Sequence, residues 1–109
     1  MDVQLRRGVL DACVLAVLLR GESYGYRLVR DVSEIIEISE STLYPILKRL
    51  EAGGFVTVRS VEHNGRLRKY YQITEAGRGR VLAFLGEWRE LARVLRAIEE
   101  EITGEEDGR

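Results

Sequence analysis

Two runs that alternate apolar with polar residues, FVTVRSV and RKYYQI, are separated by EHNGRL with an Asn64-Gly65 pair. Asn-Gly supplies two successive residues that tolerate positive φ, as the tightest hairpin turns require. Elsewhere the chain reads as helix, so one hairpin, inserted late in a helical chain, limits the folds available to it.

Upstream, Gln4 to Leu19 is apolar on most of its circumference from Leu10 onward, which predicts a central buried helix stopped at Gly21. Ser23 is a plausible N-cap for a second helix from about Tyr24 to Ile35, with Tyr26, Leu28, Val29 and Val32 available for packing. Ile36 to Ser39 is β-branched and could pair as a brief strand. In STLYPILKRLEAGG, Leu43, Ile46, Leu47 and Leu50 fall on one helical face, and Gly53 and Gly54 end it. Pro45 interrupts this third helix, where an interior proline costs about 3 kcal/mol. Ser39 or Ser41 could cap it; with Ser41 as the cap, Pro45 is the fourth helical residue and only one terminal bond is lost.

After the hairpin, Thr74 is expected to cap a long helix from Glu75. Its apolar residues Phe84, Trp88, Leu91, Leu95, Ile98 and Ile102 recur at spacings of four and three. This is a coiled-coil seam, and a domain of this size cannot bury it alone, so the expectation is a homodimer through these six residues.

The fold class is therefore mainly α with a small β-hairpin: a winged helix-turn-helix over residues 1–74 and one long dimerisation helix over 75–102. Residues 103–109, TGEEDGR, are expected to be a disordered acidic tail. The formal net charge of −1 hides an asymmetry. Residues 1–80 carry 13 Lys and Arg against 10 Asp and Glu, while residues 81–109 carry 4 against 8. A basic binding unit with an acidic appendage fits this distribution.

With the leucine face turned inward, Ser41, Thr42, Tyr44, Pro45, Lys48 and Arg49 remain outside or at the margin of the third helix. Hydroxyls near a helix N-terminus suit phosphate, and the proline ring can lie against a sugar or a thymine methyl. A solvated polar face of a core helix is the plainer alternative, but the hairpin weighs against it. Arg59, His63, Arg66, Arg68 and Lys69 cluster on or beside one turn, with Glu62 alone opposing them. Arg66, Arg68 and Lys69 are expected to meet the phosphates of double-stranded DNA, and dimer symmetry makes the operator an approximate palindrome.

STLYPILKRLEAGGFV, RKYYQITEAGR and LLRGESYGYRL together resemble PadR-type transcriptional regulators over nearly the whole chain. The resemblance implies a dimeric winged-helix repressor. One helix after the wing is similar to the smaller subfamily, some of whose members bind drugs or dyes. In that subfamily a tryptophan of the last helix flanks a flat apolar cavity at the dimer centre. Trp88 matches it by its distance from Thr74-Glu75-Ala76-Gly77, and Leu5, Gly8, Asp11, Ala12 and Ala92 are the implied lining for a planar aromatic effector. Two positions depart from the pattern: Tyr24 where many members have histidine, and Ala92 where some carry an acid. Without the effector, Trp88 is an interface anchor, a common role for tryptophan.

The alternative function is a winged-helix module that binds a protein partner and does not read DNA; the cations on the hairpin argue against it. No catalytic constellation is present, so an enzyme is not expected. One cysteine and one histidine, Cys13 and His63, cannot assemble a zinc site within one chain, and no metal or cofactor is expected. Cys13 lies in the apolar run and reads as a small core residue. The longest apolar run, Ala12 to Leu19, is too short to span a bilayer, and MDVQLRR has no signal-peptide layout, which predicts a cytoplasmic protein.

Overall fold

The computed structural model describes residues 1–106. Four helices and a three-stranded antiparallel sheet follow one another as α1 (Val3–Leu18), β1 (Ser23–Tyr24), α2 (Gly25–Ser33), α3 (Glu40–Ala52), β2 (Val56–His63), β3 (Arg66–Ile73) and α4 (Glu75–Glu106). This is the expected winged helix-turn-helix followed by one long helix, extended to 70 × 26 × 21 Å by α4.

α1 starts at Asp2, whose carboxylate accepts from the Gln4 and Leu5 amides at 2.9 and 3.3 Å. From Leu10 it is buried nearly all round, and Leu15 and Leu18 pack with Leu28 and Val32 of α2 and Leu43 and Leu47 of α3 in the core. Cys13 belongs to this core, and burial pushes its thiol pKa up. Gly21, at φ +136°, turns the chain out of the helix into β1.

The structure moves several boundaries. Ser23 does not cap α2. It pairs with Tyr71 as the first residue of β1, making the hairpin a three-stranded sheet in the order β1-β3-β2. Its hydroxyl is buried with no hydrogen-bond partner among the described residues. α2 is correspondingly shorter than expected, and Tyr26 is not packed but 69% exposed. Residues 36–39 form no strand; Ile38 instead drops into the core.

Ser39, not Ser41, caps α3, its hydroxyl accepting from the Thr42 amide at 3.3 Å. Pro45 is therefore the sixth helical residue, two residues further in than a Ser41 cap would place it. Its missing N–H would have met the Ser41 carbonyl. Ser41 lies on the exposed first turn, where solvent can take the place of that bond.

The end of α3 is closed as its glycines imply. The Phe55 amide donates to the Leu50 carbonyl at 2.9 Å and the Gly54 amide to the Glu51 carbonyl at 3.0 Å, with Gly54 at φ +79°. β2 and β3 are longer than the alternating runs alone suggest. They meet at a two-residue turn with Asn64 at φ 51° and Gly65 at φ 79°, and His63 lies opposite Arg66.

The Thr74 hydroxyl accepts from the Gly77 amide at 3.1 Å and donates to the Gly54 carbonyl at 2.7 Å, joining the start of α4 to the end of α3. Gly77 lets the two meet, because a Cβ there would stand 2.3 Å from the Phe55 carbonyl oxygen. Val81 is the last buried residue of α4 among those whose burial is described. The helix runs on through Glu106, so residues 103–106, expected in a disordered tail, continue it; extending an established helix is easier than starting one. The rest of that expected tail, residues 107–109, lies outside the described residues.

Candidate nucleic-acid interface

α3 and the wing face each other across a cleft of about 730 Å³, with the first turn of α2 as its floor. Its lining residues are Tyr24, Gly25, Tyr26, Tyr44, His63, Asn64, Arg66, Leu67, Arg68, Lys69 and Tyr71, with no carboxylate among them. Strand alternation sets one side of it: Leu67, Lys69 and Tyr71 project from the same face of β3. Tyr71 is buried against the body of the domain, while Leu67 and Lys69 continue outward along the wing. Burial raises the Tyr71 phenol pKa, so it remains a neutral hydroxyl at physiological pH.

Tyr44 crosses from α3 to the opposite wall. Its hydroxyl lies where a Cβ on Gly25 would be, 2.3 Å from that position, so the glycine makes the seat for the ring. Ser41, Tyr44 and Lys48 are exposed along one side of α3. The side chains of Lys48, Arg66 and Lys69 have no ion pair or hydrogen bond among the described residues. The hydroxyls of Ser41 and Thr42 stand 3.0 and 3.2 Å from the Ser39 hydroxyl, a cluster of three at the N-terminus of α3.

The expected interface residues do not all share this surface. Thr42, Pro45 and Arg49 lie on the other flank of α3, lining a smaller groove with Val3, Arg6, Arg7 and Leu10 of α1. Arg49 is ion-paired there with Asp11. Burial raises the Asp11 pKa more than Arg49, followed by Arg7 and Arg80, lowers it. Asp11, implied by the resemblance as a cavity residue, is thus turned towards α3 in the single chain.

Arg68 is half-buried rather than free: its guanidinium lies 4.1 Å from the centre of the Tyr24 ring and 3.4 Å from the Tyr70 hydroxyl. Arg27 approaches the Tyr24 ring at 5.0 Å, and Tyr24 meets Tyr70 edge to face at 5.7 Å. Arg59 lies over Tyr70 at 5.2 Å and holds Glu22 through two hydrogen bonds of 2.6 and 2.5 Å. These contacts fasten the wing to β1 and the start of α2. Tyr24, whose place in the chain departs from the histidine common in PadR-type proteins, is at their centre. Tyr24, Gly25 and Tyr26 were missed as cleft residues by sequence reasoning, although the YGY triplet is the signal that could have marked them.

Of the other implied cavity residues, Gly8 meets Phe84 at 3.6 Å from its Cβ position, and Phe84 stacks against Trp88 at 5.6 Å and 43°. Ala12 packs on the core, Leu5 is 39% exposed, and Trp88 and Ala92 are half-buried on α4. Beyond them Leu91, Leu95, Ile98 and Ile102 are 40 to 54% exposed. No helix among the described residues is long and apolar enough to cross a membrane, and no cluster of potential ligands could hold a metal ion.

Comparison with known proteins agrees with this architecture. A PadR family transcriptional regulator of Eggerthella lenta superposes with a TM-score of 0.80 at 33% identity, over 90% of this chain and 88% of that one. A streptococcal transcriptional regulator superposes at 0.77 with 33% identity, over 90% and 99% of the two chains. In sequence, a transcriptional regulator of Mycobacterium tuberculosis is 32% identical over 91 residues, covering 83% of this chain and 85% of that protein. The negative transcriptional regulator PadR of Bacillus subtilis is 31% identical over 75 residues, 64% of this chain and 41% of its own length. Residues 14–83 match the PadR-like transcriptional regulator family, and the chain belongs to that family.

Proposed function

We propose that the protein is a cytoplasmic, dimeric repressor that binds an approximately palindromic DNA site and is released by a planar aromatic effector. The cation-lined, carboxylate-free cleft between α3 and the wing is the observation that carries the DNA reading. α3 enters the major groove, where Lys48, one turn beyond Tyr44, reaches base acceptors. Ser41, Thr42, Tyr44 and Pro45 meet the backbone at its N-terminal end, while Arg66 and Lys69 hold flanking phosphates. Arg68 supports the wing through Tyr24, and Arg49 acts at the margin through its pair with Asp11. Pairing of the seam from Phe84 to Ile102 joins two protomers, placing their recognition helices about 34 Å apart on half-sites one helical turn apart.

Alanine substitutions test the two kinds of contact. Lys48→Ala is expected to cost about 1 to 3 kcal/mol on the operator and little on random DNA. Arg66→Ala is expected to weaken binding to every sequence and lower the salt slope by about one unit. Equal losses on operator and random DNA in Lys48→Ala would remove Lys48 from base reading.

The effector reading rests on Trp88 beside Phe84, with Gly8 bringing α1 against that ring. With Leu5, Ala12 and Ala92, these residues would border a cavity closed by a second protomer, whereas Asp11 is held by Arg49. Trp88 is the sole tryptophan, so a bound planar dye should quench its emission, and Trp88→Ala should weaken the dye by about 1 kcal/mol or more. Emission unchanged across a panel of planar drugs and dyes counts against the effector.

A further inference from the structure

The wing cleft contains more than cations. Leu67 is 77% exposed between Arg66 and Arg68, and Tyr26 is 69% exposed on the first turn of α2, yet both line the same cleft. A single exposed leucine needs no explanation. Here, however, a leucine and a tyrosine share a concave surface with unpaired cations and no acid, and strand alternation puts Leu67 on the same face of β3 as Lys69. A partner must offer negative charge and apolar surface together. A DNA strand does so, because its phosphates are joined by deoxyribose rings whose carbon edges are apolar.

We infer that the cleft grips the sugar edge of one DNA strand through an apolar pair, Leu67 and Tyr26, while Arg66 and Lys69 neutralise the phosphates on either side. The inference rests on the DNA-binding reading above and adds a salt-independent part to the wing's hold. Charge contacts release counterions and weaken as salt rises, whereas apolar contacts release none. Sugars are the same at every base pair, so the apolar contact contributes on operator and random duplex alike.

The probe is a short DNA duplex of random sequence, titrated with the full-length protein by fluorescence anisotropy between about 50 and 200 mM salt. Leu67→Ala and Tyr26→Ala are expected to lower affinity by about three-fold or more each, with the slope of log affinity against log salt unchanged. Leu67→Met, which keeps the apolar volume, should restore most of the loss. Arg66→Ala should lower the slope instead. Thermal unfolding and mass by light scattering confirm that each variant keeps its fold and assembly. If Leu67→Ala and Tyr26→Ala bind as the parent does while Arg66→Ala lowers the slope, the sugar grip is overturned and the DNA reading stands. If the parent protein shows no salt-dependent binding to the duplex, the DNA reading fails and the inference with it.

Discussion

The winged-helix unit and α4 solve the same problem in opposite ways. In the first, Leu15, Leu18, Leu28, Leu43 and Leu47 are at most 1% exposed, so the apolar faces of three helices and the sheet satisfy one another. In the second, Leu82, Leu85, Leu91, Leu95, Ile98 and Ile102 are between 40 and 67% exposed, and no apolar residue beyond Val81 is buried. One half carries its partners in its own chain, while the other leaves a regularly repeating apolar face open.

The largest expected effect lies in the first half. Leu43→Ala should destabilise the domain by about 2 to 5 kcal/mol in denaturant unfolding, because a fully packed site cannot collapse around the cavity. Leu95→Ala should leave unfolding of the winged-helix unit within about 0.5 kcal/mol of the parent, since the side chain already meets solvent. Its effect should appear as a higher dimer dissociation constant in sedimentation, by about 1 to 2 kcal/mol. If Leu95→Ala instead destabilised a demonstrated monomer as strongly as Leu43→Ala does, the contrast between the two halves would be lost.

The smallest effect sharpens the boundary of the first half. The hydrogen bond from Arg59 holds the Glu22 pKa below its ordinary 4.5. A carboxylate depressed in the folded state contributes stability above its unfolded pKa and loses it as pH falls through the folded value. Melting temperatures of the parent and Glu22→Gln should therefore differ slightly near pH ~7 and converge as the pH falls below the ordinary 4.5 and through the lowered Glu22 value. A gap that widens on acidification would show that the clamp does not fasten β1 to the wing.

What was legible in the sequence was local. Asn64-Gly65 specified its turn, Gly54 its helix stop and Thr74 its cap, because each acts within a few residues of itself. The hidden features join distant segments. β1 is two residues long and exists only because Tyr70 and Tyr71 pair with it. The choice of Ser39 over Ser41 as the cap, and the partial sequestration of Arg68 and Arg49, were open for related reasons. Periodicity does not choose between two neighbouring serines, nor does it reveal that Tyr24 and Asp11 will meet an arginine on another element. The candidate interface was therefore legible as a list of exposed cations and hydroxyls, but not as a division between those left free and those already engaged.

Gly77 has a mechanical consequence. It lets α4 seat on the carbonyl of Phe55, at the junction of α3 and β2, and the whole helix is 32 residues, or about 48 Å, long. Val81 in the core and Phe84 against Gly8 hold the first turns of α4 to the body, so the glycine helps set the direction in which the rest of the helix points. A difference of about ten degrees in that direction displaces the far end of the helix by about 8 Å. A larger residue at position 77 would push this junction apart and reset the angle at which α4 leaves the body, with the greatest displacement at its far end.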